Sequence, residues 1–278
     1  VNSALRRACV MGHPVSHSRS PMIHGYWLAQ MGIAGAYELV DRTPEAFADF
    51  FTNLAANGYV GGNITVPHKE AAYRLVNRRD DVAEAVGAVN TVWFEGAMLM
   101  GSNSDPHGFI ANLDELAPGW DVAGCRAVVL GAGGAARSAV FALVSRGADV
   151  SLANRTLGRA QALADHFGVH VKGHDFDAVP ALLENADLLV NCTSLGMIGK
   201  PPLEIDLAPL KPSASVYDVV YVPLETPLLA QARSRGHRTV DGLGMLLHQA
   251  GFGFEKWFGV MPKVTPELRA LVEADIRK

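Results

Sequence analysis

The stretch that most constrains the fold of this 278-residue chain is Arg126–Leu130 followed by Gly131-Ala132-Gly133-Gly134-Ala135-Ala136 and an alanine-rich run. A short apolar strand passing directly into G-x-G-x-x-A and then into a helical pattern is the opening of a βαβ unit. Gly131, Gly133 and Gly134 let backbone N–H groups approach a phosphate, and Ala135 lies at the start of a helix whose amino terminus favours anions. A glycine-rich turn by itself also fits an ordinary tight loop. Set between a strand and a helix, it points to a dinucleotide.

The pattern continues in the same style. Apolar strands are expected at 149–153, 188–191, 215–220 and 238–241, alternating with helices at 135–146, 157–167, 178–183 and 227–235, which is a doubly wound parallel sheet. Ahead of residue 106 the alternation is less regular, with strands at 8–11, 36–40, 62–66, 90–94 and 97–100 and helices at 21–31, 44–57, 69–77 and 81–85. After Gly242 the chain is helical, at 243–258 and 266–277, with Pro262 as the breaker. The expectation is an α/β protein of two domains. Residues 1–106 form an α/β substrate domain, 107–242 a Rossmann-type domain, and the helices of 243–278 return to the substrate domain.

Composition agrees with two ordinary cores, because single cores stop growing near ~250–300 residues. With 49% apolar residues, 19% charged residues and a net charge of −4, the chain reads as globular and carries no field that would steer it to nucleic acid or to a membrane. No apolar run is long enough to span a bilayer, and the run from Val1 to Met11 is too short for a signal peptide, so a cytoplasmic location is expected. Cys9, Cys125 and Cys192 sit in or beside apolar runs at spacings that match no zinc pattern, which predicts buried thiols and no metal.

The expected strand 149–153 carries the cofactor preference. A sheet that binds NAD places Asp or Glu at the end of this strand to hold the ribose hydroxyls. Here the strand ends in Asn154-Arg155-Thr156, with Arg159 one helical turn on. Two cations beside a helix amino terminus oppose the macrodipole, whereas a 2′-phosphate would be held by an arginine fork. This selects NADP.

Three further groups are ambiguous from spacing alone. Ser20-Pro21 fits an N-cap with proline at the first helical position and leaves Ser18 unexplained, while two hydroxyls beside a helix end also suit a carboxylate. Lys69 follows the expected strand 62–66 and reads equally as a helix-start residue. Asp105-Pro106 fits another N-cap.

Across the chain, in order, Gly12–Pro14 with His17–Pro21, Asn-Ile-Thr-Val-Pro-His-Lys ending at Lys69, Gly87–Val92, Asn103–Asp105, the glycine turn, Asn154–Thr156, Asn191–Met197, Tyr217–Asp218 and Asp241–Gln249 resemble the shikimate dehydrogenase family. The resemblance implies reduction of 3-dehydroshikimate to shikimate by NADPH on the route to chorismate and the aromatic amino acids. It implies Lys69 and Asp105 as the catalytic pair, and Ser18, Ser20, Thr65, Asn90, Tyr221 and Gln249 as substrate ligands. It implies cofactor contacts from Gly131, Gly133, Gly134, Ala135, Asn154, Arg155, Thr156, Arg159, Thr193, Met197, Val219, Gly242 and Met245, in a monomer or homodimer.

The chain departs from the family pattern at His68, where an apolar residue such as Phe is usual, and at Pro106-His107-Gly108 after Asp105. Both histidines read as polar packing, with tuning of pH dependence as the other reading. The rival functions are a quinate/shikimate dehydrogenase with relaxed cofactor choice, a methylenetetrahydrofolate dehydrogenase-like enzyme, and a sensor that binds dinucleotide and metabolite without catalysis.

Overall fold

The computed structural model describes residues 5–278; the first four residues of the run Val1 to Met11 lie outside the described residues. The chain divides into two compact units, one formed by 1–104 with 249–272 and the other by 105–248 with 273–278.

The first unit holds β1 (Arg6–Gly12), α1 (Ser20–Met31), β2 (Gly35–Asp41), α2 (Pro44–Thr52), β3 (Gly61–Ile64), α3 (Lys69–Leu75), β4 (Arg78–Arg79), α4 (Asp81–Val86), β5 (Thr91–Glu95) and β6 (Met98–Ser102). Its six strands are ordered β2-β1-β3-β5-β6-β4, with β1 parallel to β2 and β3 and an antiparallel turn through β5 and β6. Met11, Phe47, Phe51, Ile64, Val92 and Leu99 make a core that is nearly dry. Each such side chain contributes about 1.5–3 kcal/mol on burial.

A second, aromatic core forms around α1. Trp27 and Trp257 are fully buried, and their indole N–H groups donate to the carbonyls of Lys263 (3.0 Å) and Val92 (2.8 Å). Arg6 donates to the Trp257 carbonyl at 3.0 Å. These bonds satisfy polar atoms that would otherwise cost about 1–3 kcal/mol each to bury. They tie residues 257–263 to the rest of the first unit.

The second unit holds α5 (Asp105–Leu116), β7 (Arg126–Leu130), α6 (Gly134–Ser145), β8 (Asp149–Asn154), α7 (Leu157–Phe167), β9 (Val171–Asp175), a 3₁₀ turn (Phe176–Ala178), α8 (Val179–Leu183), β10 (Leu188–Asn191), β11 (Ser215–Asp218), α9 (Pro227–Ser234) and β12 (Arg238–Val240). The strands are all parallel in the order β12-β11-β10-β7-β8-β9, a Rossmann arrangement with its switch point between β7 and β10. Two apolar layers cover it. Ala139, Leu143, Val150 and Leu163 lie on one face, and Leu130, Leu183, Leu189 and Leu228 on the other.

Two helices complete the chain, α10 (Leu243–Phe258) and α11 (Pro266–Ile276). The division between the units falls inside α10, after His248. No helix among the described residues is long and apolar enough to cross a membrane.

Several boundaries differ from expectation. The strand expected to run to Val66 stops at Ile64, and the helix expected to reach Asn57 stops at Thr52. The strand β9 is not foreseen by apolar patterning, because Lys172-Gly173-His174 looks polar and loop-like. Among the described residues it pairs only with β8, and Gly173 permits close packing of α7: a Cβ there would lie 2.7 Å from the Ala160 carbonyl carbon.

Candidate active site

The parallel register brings the carboxyl ends of the second sheet level. Leu130 stands opposite both Ala153 and Asn191, and Asn191 opposite Asp218. Gly131 follows β7 at φ +100, a conformation that favours glycine, and donates to the Ala153 carbonyl at 2.8 Å. A Cβ on Gly131 would lie 3.1 Å from Thr193 Cγ2, so Gly131 and Thr193 meet at the switch point.

Gly133 caps α6 and Gly134 begins it, one residue earlier than expected; Cβ atoms at either position would enter open space. The first turn of α6 carries no acidic residue. Exposed glycine backbone at a helix amino terminus, without a carboxylate of its own, is what a pyrophosphate requires. Ala135 is half-buried in the same turn.

Beyond β8, Asn154 donates through Nδ2 to the Thr156 carbonyl at 3.0 Å and shapes the turn that presents Arg155. Thr156 stands at the N-cap position of α7 without a side-chain cap, and the first turn of that helix also lacks an acid. Arg155 and Arg159 are exposed and form no ion pair among the described residues. The donor set therefore fits a 2′-phosphate, and no acid stands at the end of β8 to bind ribose hydroxyls. Met197 is exposed, Val219 and Met245 are half-buried, and Gly242 is buried against the Val219 carbonyl.

In the first unit a buried polar chain runs through β3, β5 and the segment after β6. Tyr37 donates to Asn63 Oδ1 (2.6 Å), and Asn63 Nδ2 donates to the Asn90 carbonyl (3.2 Å) and to Thr91 Oγ1 (3.0 Å). Asn90 Oδ1 accepts from Thr91 Oγ1 and from the Ser104 N–H, both at 2.8 Å. Two donors on Oδ1 fix the orientation of the Asn90 amide. Ser104 Oγ lies 3.1 Å from Gln249 Oε1, which orients the second amide in the same way. Asn90 and Gln249 are each less than a tenth exposed.

The two serines differ from expectation. Ser20 is the first residue of α1 and the capping position belongs to Arg19, which makes no side-chain cap. Ser18 Oγ accepts the Ser20 N–H at 3.3 Å, so the hydroxyl without an assigned structural task serves the helix start. Asp105 is likewise a helical residue, the first of α5, and not an N-cap outside it.

Thr65 lies in the turn after β3, held by its N–H to the Met11 carbonyl (2.9 Å) and by the His68 N–H to its own carbonyl (2.9 Å). Lys69, half-buried, opens α3, and its carbonyl accepts the Val89 N–H at 3.1 Å. His68 is buried, stacks on Phe47 with centroids 4.2 Å apart, and bonds the Arg42 carbonyl through Nε2 at 2.7 Å. It fills an aromatic slot and contributes packing. His107 is exposed; partial burial of its ring and the nearby His248 lower its pKa. Tyr221 is half-buried in the segment after β11.

Sequence reasoning passed over Tyr37, Asn63, Thr91 and Ser104. Asn63 inside Gly-Gly-Asn-Ile is the legible signal, since a wholly buried strand carries a polar group only when partners await it.

The fully parallel sheet, its glycine turn at the switch point and the two exposed arginines after β8 define a dinucleotide-binding protein of the two-domain dehydrogenase class. Residues 10–92 match the family described as the shikimate dehydrogenase substrate binding domain, and residues 114–198 match shikimate/quinate 5-dehydrogenase. The chain belongs to the shikimate dehydrogenase family. The shikimate dehydrogenase (NADP(+)) of Mesorhizobium japonicum is 59% identical over 274 residues, 98% of each chain. A quinate dehydrogenase from Corynebacterium glutamicum in complex with NAD superposes with a TM-score of 0.88 at 32% identity, covering 97% of this chain and 99% of its own. Shikimate 5-dehydrogenase from Thermus thermophilus, solved with NADP(H) and shikimate, gives 0.86 at 34% identity, covering 98% and 100%.

Proposed function

We propose that this chain catalyses the reversible NADPH-dependent reduction of 3-dehydroshikimate to shikimate, a step toward chorismate and the aromatic amino acids. The observation that carries the reading is likeness over 98% of the chain to a shikimate dehydrogenase that uses NADP(+). The end of β8, where Asn154-Arg155 stands in place of an acid, supports the same cofactor.

The nicotinamide supplies the hydride. Gly131, Gly133, Gly134 and Ala135 would cradle the pyrophosphate, and Asn154, Arg155, Thr156 and Arg159 the 2′-phosphate. Thr193, Met197, Val219, Gly242 and Met245 would line the remainder of the cofactor site. Ser18, Ser20 and Tyr221 would hold the substrate carboxylate, and Thr65, Asn90 and Gln249 the ring hydroxyls. Hydride arrival at the ring ketone builds negative charge on its oxygen, which the Lys69 ammonium would stabilise while donating a proton; Asp105 would orient that ammonium. In this scheme residues 1–106 serve chiefly the substrate and 107–242 chiefly the cofactor, and of the segment 243–278 it is 249–272 that belongs to the first unit. The enzyme would work in the cytoplasm as a monomer or homodimer.

The second reading is a quinate- or NAD-accepting enzyme, favoured by the similarity to the NAD complex of a quinate dehydrogenase. A steady-state assay pairing shikimate and quinate with NADP and NAD separates the two. Shikimate with NADP is expected to give by far the highest kcat/KM, and equal rates with both cofactors would overturn the NADP assignment.

A further inference from the structure

Three segments that leave the carboxyl edge of the second sheet converge on one carboxylate. Asn191 ends β10, Asp218 ends β11 and Thr226 caps α9, and all three are 0% exposed. Asp218 Oδ1 accepts from Asn191 Nδ2 (2.9 Å) and from the Val220 N–H (3.0 Å), while Oδ2 accepts from Thr226 Oγ1 (2.7 Å).

The partners pass the constraint onward. Asn191 Oδ1 accepts from both the N–H (3.0 Å) and Oγ1 (2.7 Å) of Thr193, and Asn191 Nδ2 also reaches the Leu195 carbonyl (3.2 Å). Thr226 Oγ1 accepts the Leu229 N–H at 3.3 Å. With Asn191 Nδ2 drawn to the carboxylate, its Oδ1 must face Thr193, so one acidic group sets the amide that sets the threonine.

No cation pairs with Asp218 among the described residues. Burial pushes its pKa up to about 6, with the three donors pulling the other way. Among the described residues the titratable side chain shown to face it is the buried Cys192 thiol, which burial and Asp218 together push up and keep neutral. A buried acid without a cation is costly to keep for stability alone, and the segments it joins carry Thr193, Val219 and Tyr221.

We propose that Asp218 is a positioning residue for the reaction: it joins the segments after β10 and β11 to the start of α9, and so places Thr193 and Val219 for the nicotinamide cofactor and Tyr221 for the substrate carboxylate. The proposal rests on the reading above for the identity of the two ligands. Asp218 itself touches neither.

The test compares Asp218→Ala, Asp218→Asn and Thr226→Val in the full-length enzyme. Loss of three buried acceptor sites is expected to raise KM for both NADP and shikimate ~10-fold or more in Asp218→Ala, with kcat at saturation within about 3-fold. Asp218→Asn keeps an Oδ1 for Asn191 and Val220, and should hold both KM values within about 3-fold of wild type. If Asp218→Ala does not fold, Thr226→Val remains decisive and should raise KM for NADP by about 3–5-fold at unchanged kcat. Lower melting temperatures with unchanged KM values would make the role purely structural and overturn the proposal. Failure of wild type to oxidise shikimate would overturn the functional reading instead, while NADPH titration by nicotinamide fluorescence would still score Asp218.

Discussion

Ser104 Oγ lies 3.1 Å from Gln249 Oε1, a hydrogen bond between residues 145 positions apart that joins the segment after β6 to α10. Ser104 also gives its N–H to Asn90 Oδ1, so one residue orients both amides expected on the substrate hydroxyls. Ser104→Ala should leave Gln249 Oε1 without this donor, costing about 1–3 kcal/mol of stability and raising KM for shikimate, with KM for NADP unchanged. Thermal melting and steady-state kinetics on the same preparation measure both effects. An unchanged KM for shikimate would show that Gln249 is oriented without Ser104.

Lys69→Ala should lower kcat by ~10²–10⁴-fold while KM for shikimate stays within a few-fold, because the ammonium acts on charge that develops only in the transition state. Lys69 begins α3, where alanine is well tolerated, so the fold should persist. A variant retaining more than a tenth of wild-type kcat would remove Lys69 from the role of acid.

Arg155→Ala should raise KM for NADP by ~10–100-fold, the value of one charge-assisted contact of about 1.5–3 kcal/mol, and leave KM for NAD nearly unchanged. The side chain is exposed and has no ion-pair partner among the described residues, so stability should not fall. Parallel loss of affinity for both cofactors would argue against contact with a 2′-phosphate.

His24 predicts a pH dependence of stability. The ring is fully buried, stacked on Tyr37 with centroids 4.0 Å apart, and neither nitrogen has a partner in hydrogen-bond geometry among the described residues. Burial pushes its pKa from 6.5 down to about 3, against a weaker upward pull from the neighbouring Asn63, so between these values the unfolded chain binds a proton that the native chain does not. Its contribution is therefore complete above pH 6.5 and is lost as pH falls toward 3, by about 2 kcal/mol at pH 5. His24→Phe, which keeps an aromatic ring in the cluster, should flatten that part of the urea-unfolding profile between pH 7 and 5. An equally steep profile in the variant would assign the acid sensitivity elsewhere.

How much is legible varies with the range of the interactions. The strand–glycine–helix run around Gly131 and the missing acid after β8 are local patterns, and they determine the Rossmann half and its NADP preference from sequence alone. Periodicity likewise determines most elements, because apolar spacing reports which face is buried. Ser20 and Asp105 look like residues just ahead of a helix and stand instead as the first residues of α1 and α5, since the start of the first helical turn is a matter of one residue that spacing does not resolve.

Only the tertiary structure decided which polar side chains meet. Nothing in Gly-Gly-Asn-Ile names the partners of Asn63, and nothing local links Ser104 to Gln249 or Asp218 to Thr226. The partners of Asn63 follow from strand register, and the other two pairings from the placement of α10 and of the start of α9. The sequence by itself determined the kind of fold and the cofactor class; the orientation of the amides and hydroxyls expected to serve the site was decided by packing, because hydrogen-bond direction depends on neighbours in space.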